Sequence, residues 1–341
     1  MPELRLVQGP PGSRGGLILP VALDALGGDK APGEIIAGAR RAQDELGIPV
    51  LLVGPDDGSL GDTGGLKILA AHETIGMDED AARAVRTKRD STIVLCAEAV
   101  ASGQASAMVS AGNTGGAMAS ALLRIGRLKG VARPAIATPL PIASGGNPTV
   151  LIDSGANPEC RPEWLLQFAQ MGSAYAESRY QTEKPTVALL SNGEEASKGS
   201  NLVKETRPLL ESAGSLRFVG NVEGRDLLAG GVDVVVTDGF TGNVALKSME
   251  GALTAFVGIL GQVFAESPEN KAASDVLMPA LLKYAHYVDP EETGGALLLG
   301  VKGVCVISHG SSSARAIFNA IKVAADLVEA DLVGKVGAAV T

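Results

Sequence analysis

The stretch SNGEEASKGSN (191–201) sets one ammonium, Lys198, among glycines just after the apolar run TVALLS (186–191). A lysine in such a loop is a compact cation suited to an oxyanion such as phosphate. Glu194 and Glu195 share its turn. The same residues also fit a solvated polar loop entering a helix, with Ser200 or Asn201 as its cap. A second stretch, VTDGFTGNVALKSMEG (236–251), ends a strand on Asp238. Gly239 and Gly242 admit close backbone approach. Thr241 and Asn243 offer neutral donors, and Lys247 lies one helical turn beyond Asn243. Its other reading is an Asp/Gly turn with Thr241 capping a helix. A third stretch, SAGNTGGAMASALL (110–123), leads from an apolar strand through Gly112, Asn113, Thr114, Gly115 and Gly116 into an alanine-rich helix. Backbone N–H groups at such a junction suit an anion; they equally close a tight strand-to-helix turn. In a fourth, SHGSSS (308–313), His309 can donate to an anion or protonate a leaving group. There Ser311, Ser312 and Ser313 either assist it or cap the last helix.

The composition excludes other chemistries. Three histidines, His72, His286 and His309, and no HExxH or CxxC leave no zinc pattern, so no metal is expected. There is no GxSxG elbow, and no GxGxxG follows the first strand. No cofactor is expected. Cys96, Cys160 and Cys305 are far apart and odd in number, which fits buried small hydrophobes in a reducing compartment. A formal charge of -9 and 3% aromatic residues argue against a nucleic-acid partner. Residues 1–16, MPELRLVQGPPGSRGG, read as a disordered tail rather than a signal peptide. No apolar stretch looks long enough to span a bilayer; the longest, 251–266, is broken by glycine.

The elements that must position these residues alternate. Strand-like runs at 17–24, 49–54, 105–110, 134–141, 148–153, 186–191, 216–220, 232–238 and 302–310 are interleaved with helix-like runs. The helices are expected at 31–46, 91–103, 161–180, 201–213, 241–265 and 311–330. This pattern predicts an α/β fold with a mostly parallel sheet. Ligands in such folds bind at the carboxyl ends of strands. Six glycine-bearing polar turns fall there: Asp24, Gly27, Gly28 and Asp29; 112–116; Asp153, Gly155 and Asn157; 191–199; 238–243; and 309–313. Together they suggest a shared cleft.

Taken together, ALDALGGDKAP (22–32), SAGNTGGAMA (110–119), RPAIATPLP (133–141), LIDSGANPECRPEWLLQFAQMGSAYA (151–176), NGEEASKG (192–199), FVGNVEGRD (218–226), VDVVVTDGFTGNVALKSMEG (232–251) and GGALLLGVKGVCVISHGSSSARAIFNAI (294–321) resemble one family. It is the phosphate acyltransferase family of bacterial phospholipid synthesis, the PlsX family. The resemblance implies transfer of a long-chain acyl group from acyl carrier protein to inorganic phosphate, giving acyl phosphate for a downstream glycerol-3-phosphate acyltransferase. It implies a Rossmann-like α/β/α layered fold, similar to phosphotransacetylase and isopropylmalate dehydrogenase. It implies one large domain at 17–336 and a homodimer on the cytoplasmic face of the cell membrane. A helical hairpin at about 251–288 would form the dimer tip, with lipid contact around Ser274 to Met278. The family's active-site lysine and asparagine match Lys198 and Asn243. Three places depart from the family pattern: Lys30 after GGD, Ser191-Asn192 before GEE, and the added Gly116.

These residue types suit that reaction. Phosphate, with a second pKa of about 6 on the phosphoryl scale, is already an anion at neutral pH and needs aiming more than deprotonation. Backbone N–H groups from Asn113 to Gly116 would cradle it, with Gly242 allowing close approach. Lys198 would neutralise its charge, Asn243 would donate to phosphate or oxyanion, and Asp238 would orient Lys198 or a backbone turn. Asp24, Gly27, Gly28, Asp29, Asn157, Glu194, Glu195, Lys247 and Ser311 complete the expected substrate-binding set. Arg83, Arg86, Lys88, Arg89, Arg124, Arg127, Lys129 and Arg133 either dock the acidic carrier protein or form solvated helix faces. Three rivals remain: a short-chain phosphotransacetylase using acyl-coenzyme A, an NAD-dependent dehydrogenase of similar fold, and a non-catalytic membrane scaffold.

Overall fold

The computed structural model describes residues 19–142, 145–285 and 289–340. The expected tail at 1–16 and His286 lie outside them. Among the described residues the strands are β1 (Val21–Asp24), β2 (Val50–Gly54), β3 (Lys67–Ala70), β4 (Ala107–Ser110), β5 (Ala135–Leu140), β6 (Thr149–Ile152), β7 (Thr186–Leu190), β8 (Arg217–Val222), β9 (Val234–Val236), β10 (Ala296–Leu299) and β11 (Val304–Ile307). The helices are α1 (Gly33–Leu46), α2 (Ala81–Thr87), α3 (Thr92–Ala101), α4 (Thr114–Ser120), α5 (Pro162–Tyr180), α6 (Asn201–Ser212), α7 (Gly239–Ala265), α8 (Pro268–Ala285), α9 (Ala314–Glu329) and α10 (Leu332–Ala339). The chain folds as two compact units. One comprises the described residues up to Pro134 together with Thr293–Ala339, and the other is Ala135–Glu292.

In the first unit the strands run in the order β3-β2-β1-β4-β11-β10. All neighbours are parallel except β10, which is antiparallel to β11. In the second the order is β5-β6-β9-β7-β8, with only β5 antiparallel to its neighbour. The expected α/β class with mostly parallel strands is what the structure shows. Its cause is the unbroken apolar strand. Val21, Ala22 and Leu23, like Val150, Leu151 and Ile152, are all 0% exposed, as strands covered on both faces must be. In the first unit α1 buries Ile35, Ile36, Ala39 and Ala42 at helical spacing and packs against α9, which buries Ile317, Ala320, Ile321 and Ala324.

Local signals set the helix ends. Pro162 begins α5, where its missing N–H costs nothing. Ser200 caps α6, accepting from Val203 N, which resolves the choice between Ser200 and Asn201. Strands β3 and β10 and helices α2 and α10 lie outside the sequence expectations. Strand β3 is a half-exposed edge of four residues and α2 has only seven, too short for either periodicity to register.

The longest helix corrects another expectation. Helix α7 runs for 27 residues, and an 18-residue window of it has a mean hydropathy of 1.4, long and apolar enough by composition to cross a membrane. The glycines that interrupt its apolar pattern do not break the helix, and only Gly239 and Gly242 are buried. The turn into α8 falls between Ala265 and Pro268, so Ser274 to Met278 lie within α8 rather than at the hairpin turn.

Candidate active site

In the second unit, β6, β9, β7 and β8 are parallel, so the loops that follow them leave one sheet edge. The loop after β6 is organised by Asp153, which is 0% exposed. Its Oδ1 accepts from the N–H groups of Ile136 at 3.0 Å, Gly155 at 3.2 Å and Ala156 at 2.9 Å. Its Oδ2 accepts from Asn157 N at 2.7 Å and Asn157 Nδ2 at 2.8 Å. Burial pushes the Asp153 carboxyl above its ordinary value, and these donors oppose the shift. In sequence Asp153 is one polar residue of a turn; its organising role shows only in these hydrogen bonds. Asn157, expected at the substrate, spends its side-chain amide on this carboxylate.

The same loop seats the start of α7. Gly239 N donates to Asn157 O at 2.8 Å. A Cβ on Gly242 would stand 1.9 Å from Asp153 O, so no larger residue fits while the backbones stay in place. The close approach that this glycine permits is therefore to Asp153, and the chain itself accounts for it. Asp238 is the N-cap of α7: Oδ1 accepts from Thr241 N and Oδ2 from Thr241 Oγ1, both at 2.8 Å. The cap is thus Asp238 and not Thr241, and Asp238 orients a backbone turn. Asn243 follows on the first turn, exposed, and a Cβ on Gly155 would lie 3.8 Å from its Cγ. Its amide has no partner among the described residues. Lys247 is engaged elsewhere, pairing with Glu250 at 2.7 Å on the helix surface.

Lys198 is exposed in the loop after β7, and its ammonium also has no partner among the described residues. Its N–H donates to Glu195 O at 3.0 Å, closing the turn, and Gly199 N donates to Asn192 Oδ1 at 2.9 Å. Glu194 pairs with Arg225 at 3.5 Å, and both are well exposed. Among the exposed polar groups of this edge are a cation on the β7 loop and an amide on the adjacent β9 loop, neither with a side-chain partner among the described residues. Cys160 lies on the same loop cluster, its Sγ 3.4 Å from Asn157 O. Burial pushes its thiol up to about 12, so it is no thiolate nucleophile near neutral pH.

In the first unit the loops after β1, β4 and β11 also share an edge. Asp24, 2% exposed, accepts from Ser110 Oγ at 2.7 Å, and Ser110 Oγ accepts from Gly112 N at 3.0 Å. Burial raises the Asp24 carboxyl above its ordinary value, against hydrogen bonds from Thr92, Ser110, Leu26 and Gly27. Gly28 has φ +103°, a conformation that favours glycine, and Asp29 N donates to Gly310 O at 2.8 Å. A Cβ on Gly27 would stand 2.8 Å from Gly112 N, so these loops are in close register. Asn113 caps α4 through Gly116 N at 2.9 Å, and its Nδ2 donates to Gly76 O at 2.9 Å and Met77 O at 3.2 Å. Its side chain and the Gly116 N–H are thereby used by the fold. The N–H groups of Thr114 and Gly115 have no acceptor among the described residues. His309 Nδ1 accepts from Ser311 N at 3.2 Å and lies 2.8 Å from Ser311 Oγ, an arrangement that assigns the proton of a neutral ring to Nε2. Ser313 caps α9, accepting from Ala316 N. No metal-ligating cluster is found among the described residues.

A family profile described as "Fatty acid synthesis protein" matches residues 19–335. The chain is 46% identical over 318 residues to a protein of Nostoc punctiforme named phosphate acyltransferase, covering 91% of this chain and 93% of that one. It is 48% identical over 324 residues to a protein of the same name from Desulforamulus reducens, covering 93% and 96%. A crystal structure of a phosphotransacetylase from Streptococcus pyogenes superposes with a TM-score of 0.60 at 17% identity, covering 92% of this chain and 95% of that one, a likeness of fold. By the profile and by identity over most of its length, this chain belongs to the fatty acid synthesis protein family, among the phosphate acyltransferases.

Proposed function

We propose that this chain is an acyltransferase that moves a long-chain fatty acyl group from acyl carrier protein to inorganic phosphate, releasing acyl phosphate. The observation that carries the reading is 46% identity to a phosphate acyltransferase over 91% of this chain, joined to an ammonium and an amide on adjacent loops that have no partner among the described residues. Phosphate attacks the thioester carbonyl. The tetrahedral oxyanion forms, and the carrier thiol departs with the electron pair of the C–S bond. Lys198 holds the phosphate charge, and Asn243 donates to phosphate or to the oxyanion. In the first unit, taken by itself, the N–H groups of Thr114 and Gly115 and His309 Nε2–H are donors at the carboxyl ends of its strands. Asp153 and Asp238 touch no substrate; they fix the backbone that carries Asn243.

The exposed apolar face of the α7–α8 hairpin supports the proposed partners. Phe256, Val257 and Ile259 are 58%, 66% and 57% exposed, and Val276 is 79% exposed. Such a surface needs a cover. A second copy of the chain covers most of it, and the cytoplasmic membrane surface meets α8 around Leu277. The first turn of α7 is bound into its unit at Gly239 and Gly242, which favours a helix lying on the membrane over one crossing it. The acyl phosphate formed serves a glycerol-3-phosphate acyltransferase.

Palmitoyl-acyl carrier protein incubated with the protein and phosphate yields a hydroxylamine-trappable acyl phosphate. Palmitoyl-coenzyme A and acetyl-coenzyme A in parallel test the phosphotransacetylase rival. Lys198→Ala and Asn243→Ala each lower kcat/KM for phosphate by about 10²-fold or more. Near-normal turnover by both variants would remove these residues from the mechanism.

A further inference from the structure

Asn221 belongs to β8 and is only 7% exposed, yet its side chain reaches the loop that carries Lys198. Its Nδ2 donates to Glu195 O at 3.1 Å and to Gly193 O at 3.4 Å. Lys198 N–H donates to the same Glu195 carbonyl at 3.0 Å. The buried amide and the lysine backbone therefore share one acceptor. Gly193 is buried too, and a Cβ placed on it would stand 2.7 Å from Lys198 Cγ, so the lysine stem lies along the segment that Asn221 holds. The loop's link from Glu194 to Arg225 is an exposed pair at 3.5 Å, of the kind that contributes little. The Asn192–Gly199 bond is local to the loop.

We propose that Asn221 is a positioning residue for phosphate: its two amide donors pin the turn at 193–195 and so aim the Lys198 ammonium. The proposal rests on the assignment of Lys198 to phosphate. A lysine on a four-carbon stem has many rotamers, and precise aim comes from the support beneath it. Loss of that support spreads the cation over many positions. Phosphate then binds more weakly, while the acyl donor loses no contact of its own, because Lys198 is assigned to phosphate. Only a donor can serve two carbonyls. Aspartate has nearly the shape of asparagine but would present oxygen to both.

The test uses the full chain with Asn221→Ala, Asn221→Asp and Lys198→Ala, varying phosphate and acyl donor separately and recording thermal midpoints. The KM for phosphate is expected to rise about tenfold in Asn221→Ala and further in Asn221→Asp, with the KM for acyl donor within about twofold. A packing role reverses that order, leaving the isosteric Asp variant near wild type and Ala worse; that result overturns the proposal. If the Asp variant does not fold, the Ala variant decides alone. An unchanged KM for phosphate, or equal rises for both substrates, overturns it. Lys198→Ala judges the underlying assignment independently: wild-type kinetics there sink the assignment, whereas impaired Lys198→Ala beside normal Asn221 variants sinks only this proposal.

Discussion

At the scale of single residues, the polar side chains of the strand-end loops divide between those held by the chain and those left to solvent. Among the described residues the side chains of Lys198 and Asn243 have no partner, whereas Asp153, Asn157, Asp238 and Asn113 use theirs on the chain. Gly242 shows the cost of that support most directly. A methyl there meets a backbone carbonyl, which has no rotamer to yield. Gly242→Ala is expected to lose about 1–3 kcal/mol of folding stability by urea unfolding, as overpacked sites do. It should also lose activity beyond its loss of folded protein, because Asn243 is the next residue. Stability within a few tenths of a kcal/mol of wild type would refute the close contact.

At the scale of elements, a buried aspartate lies at the carboxyl end of β1 in one unit and just beyond β6 in the other. Each holds the loop that follows, Asp24 through Ser110 and Leu26, Asp153 through five donors. Burial raises the carboxyl of Asp24 above 3.8. A group raised on folding adds stability below its unfolded pKa and loses that contribution as pH rises through its folded value. The thermal midpoint of wild type minus that of Asp24→Asn should therefore fall as pH goes from about 4 to 8. A flat difference would show that Asp24 titrates normally. The α7–α8 hairpin carries the other element-scale prediction. Leu277→Glu is expected to abolish flotation with anionic liposomes while dimer mass in solution persists. Undiminished flotation would place lipid contact elsewhere, and loss of the dimer would assign Leu277 to subunit packing.

At the scale of the whole molecule, the formal charge is -9, and an acidic carrier protein needs a local basic surface. Several of the candidate cations are already committed. Lys88 pairs with Glu79, Arg124 with Glu98 at 3.3 Å, and Arg127 with the Ala132 carbonyl. Arg83, Arg86, Arg89 and Lys129 remain exposed and without partners among the described residues. If these four steer docking, the KM for acyl carrier protein rises steeply between about 50 and 300 mM salt, while that for phosphate rises less. Parallel salt dependence of both substrates would argue against a docking patch.

The amino-acid sequence by itself determined most of the element order, β3, β10, α2 and α10 excepted, together with the mostly parallel strands and the polar loops that follow them. Strand runs such as TVLI and TVALL are apolar throughout because both faces are covered, and that leaves a local signature. The loops of Lys198 and Asn243 each kept two readings by residue type, and the family resemblance singled those two residues out of six similar turns. What each polar side chain does was decided by tertiary contacts. Asn113, Asn157 and Asn221 are the same residue type in similar polar stretches, yet one caps a helix, one serves a buried carboxylate and one pins a neighbouring loop. Hydrogen bonds between residues far apart in the chain, 26 positions for Asn221 and Glu195, leave no periodicity to read. The helix expected at 241–265 is α7; its apolar length alone was underestimated, because interior glycines weaken a helix without ending it.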